Sequence, residues 1–309
     1  MPRIGTSPVS AAPAPLELLR QVRRVELKTR RLVDSRFSGE YLSSFKGQGI
    51  EFAEAREYQP GDDVRTIDWN VTARLGTPFV KRYVEERELS VLLIADLSGS
   101  SRWGSRARLK SQLAAEVATT LAMSAVRNND RVGLLVATDR VEAYVPPRKG
   151  RRHVLRLIRD LLACEPESHA TDLNPALTYA QRVLPHRALV FIFSDFQLGN
   201  GWDVFGRSLS GLRARHDVVA CHLADPSDFQ LPALGMLRVA DPETGQDVVV
   251  DTSDRRVRER YATLVNREQE RARRLFAASG VDEIRLRTDA PYAGALMGFF
   301  RRRERRMRR

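Results

Sequence analysis

With 309 residues, 42% of them hydrophobic and 29% charged, the chain can hold one large α/β domain plus a smaller companion and is too evenly mixed for wholesale disorder. Its formal charge of +12 is lopsided, because residues 301–309 hold seven Arg and one Glu and so carry half of the excess. No apolar run approaches the roughly 18 residues of a membrane helix, and Cys164 and Cys221 lack the spacing of a disulfide framework or a zinc site; a reducing, cytoplasmic setting is expected.

Residues 1–15 scatter Pro and Ser among apolar residues without the order of a signal peptide and read as a frayed tail. Residues 16–33 repeat Leu16, Leu19, Val22 and Val25 at helical spacing, so residues 1–38 are expected to be a tail and a basic amphipathic helix. Residues 39–88, punctuated by Gly and Pro, read as a small β-rich region.

Residues 89–290 then alternate strand and helix signals. A continuously apolar strand at 89–95 suits a sheet covered on both faces, and Leu109, Leu113, Val117 and Leu121 give the next helix one apolar stripe. Strands at 131–137 and 141–145 form a hairpin. Helices at 151–162, 175–183 and 205–215 alternate with strands at 188–194 and 217–223. A second hairpin (236–240 with 247–251), a charged helix at 255–278 and a strand at 281–286 complete a doubly wound, mostly parallel α/β sheet. Residues 291–309 read as a basic tail in solvent, with peripheral membrane contact the alternative. His222 beside Cys221 sits in a strand, where neighbours face opposite sides, so a structural pair is favoured over a ligand pair.

The chemistry concentrates at strand ends. Asp96-Leu97-Ser98-Gly99-Ser100 follows the first apolar strand, where α/β sheets bind ligands. Hydroxyls at alternate positions can turn toward one point beside a carboxylate, a donor set suited to a hard cation. Thr171 opens the turn before a helix, with helix capping as the bland alternative for it and Asp172, and Asp195 follows another buried strand.

These five residues, Asp96, Ser98, Ser100, Thr171 and Asp195, resemble the metal-ion-dependent adhesion site of von Willebrand factor A domains. The resemblance implies Mg²⁺ or Mn²⁺ held directly by Ser98, Ser100 and Thr171, with Asp96 and Asp195 acting through water and an acidic protein ligand completing the shell. The threonine loop reads His169-Ala170-Thr171 where many relatives begin with Gly-Gly.

Upstream, the run from Arg56 through Tyr58-Gln59-Pro60-Gly61-Asp62-Asp63 to Ile67-Asp68-Trp69-Asn70, followed by Thr72-Ala73-Arg74, is far more specific. It is similar to the signature of DUF58, a bacterial family in which a von Willebrand A-like domain follows this segment. Members are commonly encoded beside MoxR-type AAA+ ATPases, so the resemblance implies an adaptor or co-chaperone for such a motor. The chain has no phosphate-cradling Gly-x-x-x-x-Gly-Lys-Ser/Thr loop of its own, and no enzymatic activity is expected.

Two other readings compete. Asp62, Asp63 and Asp68, with Glu85 or Glu86, would form a hydrolytic metal site, against turn and pairing roles for the aspartates and a core role for Trp69. Arg148, Lys149, Arg151 and Arg152 with the tail would bind nucleic acid, but no stacking aromatics interleave with them.

Overall fold

The computed structural model describes residues 16–33, 38–45, 50–85, 88–104, 108–241, 243 and 245–307; the expected tail at 1–15 lies outside them. Helices α1 (Leu16–Leu32) and α2 (Ser38–Phe45) precede β1 (Ile50–Glu57), α3 (Trp69–Leu75) and β2 (Phe79–Glu85). The alternating part comprises β3 (Ser90–Asp96), α4 (Lys110–Arg127), β4 (Arg131–Ala137), β5 (Val141–Arg148), α5 (Arg151–Ala163), α6 (Asn174–Val183), β6 (Leu189–Ser194), α7 (Trp202–Arg215) and β7 (Asp217–Ala224). A hairpin of β8 (Met236–Ala240) and β9 (Asp247–Asp251), then α8 (Arg255–Ala278), β10 (Asp282–Arg287) and α9 (Tyr292–Met307), follow.

The sheet runs β10-β7-β6-β3-β4-β5, parallel throughout except for the antiparallel edge pair β4–β5. This is the doubly wound, mostly parallel sheet expected from the sequence. Alternation along β3 explains its continuous apolarity. Val91, Leu93 and Ala95 pack with Leu113, Val117 and Leu121 of α4 and with Phe299 and Phe300 of α9. Leu92 and Ile94 face the opposite layer, made by Leu177 of α6, Phe205 of α7 and Phe276 of α8. Each such buried side chain contributes about 1.5–3 kcal/mol of burial. The basic helix α1 lies over α4 and α5, outside that first layer.

At the sheet edge the β4–β5 register slips between Val132 and Leu134. A Cβ on Gly133 would sit 2.9 Å from both the Pro147 nitrogen and the Val145 carbonyl oxygen, backbone atoms that cannot step aside. Gly133→Ala is expected to lower stability by about 1–3 kcal/mol, measured by chemical denaturation; a neutral result would mean that the edge strand yields.

Three expectations need correction. The run at 301–309 is not a loose tail: through Met307 it is the last part of α9, with Arg303 buried while Arg301, Arg302, Arg305 and Arg306 remain exposed; Arg308 and Arg309 lie outside the described residues. Region 39–88 is mixed, because α2 and α3 accompany the antiparallel pair β1–β2. Trp69 is 69% exposed at the start of α3, the helix that Asp68 caps, and so is no core anchor.

Candidate functional site

From β3 the chain builds β4 and β5 on one side of the sheet, then returns to lay β6, β7 and β10 on the other. The boundary between β3 and β6 is therefore the point where strand order reverses, and the loops leaving their carboxyl ends diverge around a crevice. Asp96 closes β3, Ser194 closes β6, and Asp195 follows it.

Asp96 is 1% exposed and doubly fixed. The Ser194 hydroxyl donates to its Oδ2 at 2.6 Å and the Ser98 amide to its Oδ1 at 2.9 Å. The second contact folds the chain back, so that the Ser98 and Ser100 hydroxyls stand 3.3 Å apart. Adjacent ligands of an octahedral ion with bonds of about 2.0–2.1 Å are about 3 Å apart, so this pair fits two neighbouring positions. Burial first, and the nearby Asp195 second, push the Asp96 carboxyl up to about 6 in spite of the hydrogen bonds it accepts.

A backbone hydrogen bond fastens the threonine loop to the serine loop. The Gly99 amide donates to the His169 carbonyl at 2.8 Å, a bond that histidine makes as readily as the glycine of relatives. Asp172 takes the turn before α6, accepting from the Asn174 amide at 2.9 Å, which leaves Thr171 out of capping. The Thr171 hydroxyl instead donates at 2.5 Å to Glu243, from the tip of the β8–β9 hairpin. Burial, then Asp195 and Asp241, raise the Glu243 carboxyl above its ordinary value, although the bond from Thr171 opposes them.

Asp195 is held by a residue that sequence reasoning missed. Lys110, the first residue of α4, is 1% exposed and places its ammonium 2.9 Å from both Asp195 and Asp228. Burial works against its charge, but the pull of the two aspartates outweighs it and keeps its pKa above that of an ordinary lysine. Burial also raises Asp228, which Lys110 only partly offsets; two contacts at 2.9 Å fix the lysine as charged. The site thus sets Asp96 behind the Ser98–Ser100 hydroxyl pair, Glu243 on the Thr171 hydroxyl, and Asp195 on a built-in cation, Lys110. Among the described residues no three His, Cys, Asp or Glu side chains converge to hold a metal ion; the donors that converge here are largely hydroxyls.

The other candidate residues have local employment. Asp62 accepts both terminal nitrogens of Arg56 at 2.8 and 2.6 Å, Asp63 accepts from the Arg65 amide, and Asp68 caps α3 through the Asn70 and Val71 amides. Glu86 and the side chain of Glu85 lie outside the described residues. In the basic cluster, Lys149 pairs with Glu88 and Arg151 with Glu26, which neutralises half of Arg148, Lys149, Arg151 and Arg152. His222 is hydrogen-bonded to Glu283 at 2.9 Å across neighbouring strands, and Cys221 is buried with its thiol pushed up by burial. No described helix is long and apolar enough to cross a membrane.

Comparison with solved structures finds BatB from Bacteroides thetaiotaomicron, at a TM-score of 0.45 and 14% identity, covering 70% of this chain and 99% of that one. The SpRpn10 VWA domain follows at a TM-score of 0.37 and 9% identity, covering 68% and 93%. The fold assignment rests on the strand order rather than on these likenesses. In sequence, an uncharacterized protein of Mycobacterium tuberculosis is 32% identical over 293 residues, spanning 94% of this chain and 90% of the relative. A Paracoccus denitrificans protein described as lying in the moxR 3' region is 36% identical over 101 residues, or 32% of this chain and 92% of the relative. The family model described as protein of unknown function DUF58 matches residues 54–271, a span that takes in the upstream signature and all of the strand-end residues above, and the chain belongs to the DUF58 family.

Proposed function

We propose that this chain is a protein-binding adaptor that captures an acidic side chain of a partner through a divalent cation, Mg²⁺ or Mn²⁺, and acts with a MoxR-type AAA+ ATPase as a co-chaperone rather than as an enzyme. The observation that carries this reading is the hydroxyl pair of Ser98 and Ser100, 3.3 Å apart at the switch point and set by the doubly fixed Asp96. When bound, the ion supplies a positive charge with positions left for a partner's carboxylate. Ser98, Ser100 and Thr171 would hold it directly. Asp96 and Asp195, whose oxygens already accept hydrogen bonds, would hold it through water. The Paracoccus denitrificans relative in the moxR 3' region supports the choice of partner.

Calorimetric titration of Mg²⁺ and Mn²⁺ tests the reading. Saturable binding is expected in the unaltered chain, weakened at least about tenfold in Asp96→Ala and Ser98→Ala, with circular dichroism confirming that both variants fold. Capture of the ATPase should be lost in Asp96→Ala and on chelation. Absence of saturable heat from the unaltered chain, or capture that survives both treatments, would remove the metal from the mechanism.

A further inference from the structure

The β8–β9 hairpin does not belong to the sheet. Its strands pair only with each other, and Met236, Val239, Val248 and Val249 are exposed along it. Backbone and side-chain bonds nevertheless join Asp241, Glu243, Gly245 and Gln246 at its end. The Asp241 amide donates to Gln246 at 2.8 Å, the Gly245 amide to Asp241 at 2.8 Å, and the Glu243 amide to the Asp241 side chain at 2.9 Å, with Gly245 supplying the positive φ of +70° that closes the turn. The result of this folding is to carry Glu243 across 72 residues of sequence and seat its carboxylate on the Thr171 hydroxyl.

Glu243 ends on the Thr171 hydroxyl with no cation paired to it among the described residues, and Lys110 is already shared between Asp195 and Asp228. A carboxylate delivered to the Thr171 hydroxyl calls for positive charge, which the proposed ion would provide. We propose that Glu243 is this chain's own carboxylate ligand for the metal site, carried on a self-contained hairpin and occupying the position a partner's acidic side chain takes, so that the hairpin must lift before a partner binds. The proposal rests on the metal reading. It makes the hairpin the element that governs access to the site.

Mn²⁺ serves as the probe, read by water-proton relaxation and by amide hydrogen exchange, in the full chain and in Glu243→Ala. With Glu243 as a ligand, the variant still binds Mn²⁺, the bound ion gains an exchangeable water so that its relaxation signal rises, and added acetate lowers that signal in the variant but not in the unaltered chain. Mn²⁺ should also slow exchange across residues 236–251 in the unaltered chain and leave the variant's hairpin unchanged. Equal Mn²⁺ binding with identical relaxation and acetate response would overturn the proposal and leave the metal reading standing. Loss of Mn²⁺ from the variant alone would overturn it differently, making Glu243 an obligatory ligand rather than a displaceable one. Failure of the unaltered chain to bind Mn²⁺ would overturn both.

Discussion

Arg303→Ala is expected to lower folding stability by about 3–5 kcal/mol, the range for removing one member of a buried ion pair, whereas Arg305→Ala, two residues on, changes it by less than about 0.5 kcal/mol. Arg303 is 7% exposed. Its guanidinium pairs with Asp217 and, at 2.7 Å, with Asp282, while its Nε donates to the Ser44 carbonyl at 3.1 Å. The same group lies 4.6 Å from the centroid of the Phe45 ring. One side chain therefore ties α9 to the amino ends of β7 and β10 and to α2. Alanine would leave Asp217, itself 4% exposed, as a buried carboxylate without its counter-charge. Arg303→Lys should recover little, because an ammonium cannot reach two carboxylates and a carbonyl with the fixed fork of a guanidinium. Urea denaturation of the three variants checks this; equal small losses at 303 and 305 would restore the reading of this segment as a solvated tail.

What the sequence makes legible is whatever depends on periodicity within one element. The strand at 90–96 is apolar on both faces because both faces are covered, and the stripe of Leu113, Val117 and Leu121 follows from one helical face. The hairpin at 236–251 and the helix Arg255–Ala278 are marked by their own turn and cap residues, Gly245 and Asp254 among them. The helical register of Tyr292, Leu296, Phe299 and Arg303 was also present, but the surrounding arginines masked it, since a charge run ordinarily means solvent. Lys110 lies three residues before Leu113 on the same stripe, a signal that it points inward, yet nothing local says that Asp195 and Asp228 wait there 85 and 118 residues away. Glu243 is less legible still: its neighbours specify a turn, and only its contact with Thr171, 72 residues away, shows where the carboxylate goes. Trp69 illustrates the reverse limit, because an aromatic residue in a specific motif suggests a core and the capped helix instead presents it to solvent.

Lys110→Met should cost about 3–5 kcal/mol in the absence of divalent ions, and the loss should shrink when Mg²⁺ or Mn²⁺ is added. Methionine keeps most of the volume and apolar contacts of the lysine stem, so the effect isolates the ammonium. Its removal strands two carboxylates whose side chains are 3% and 11% exposed, Asp195 and Asp228, beside Asp96 and Glu243. Part of the loss should return in Lys110→Met combined with Asp228→Asn, since neutralising one carboxylate removes part of the uncompensated charge, and that non-additivity measures the pair. The dependence on divalent ions follows from the same charge balance. On the proposed function, an ion held by Ser98, Ser100 and Thr171 would stabilise the fold by RT ln(1 + c/Kd) at free ion concentration c, and it would stabilise the variant more because Asp195 would then lack the Lys110 ammonium. Thermal unfolding with and without Mn²⁺ gives both quantities. A loss below about 1 kcal/mol would show that Lys110 is not the counter-charge of these aspartates, and an equal shift with Mn²⁺ in both chains would show that lysine and ion act on Asp195 independently.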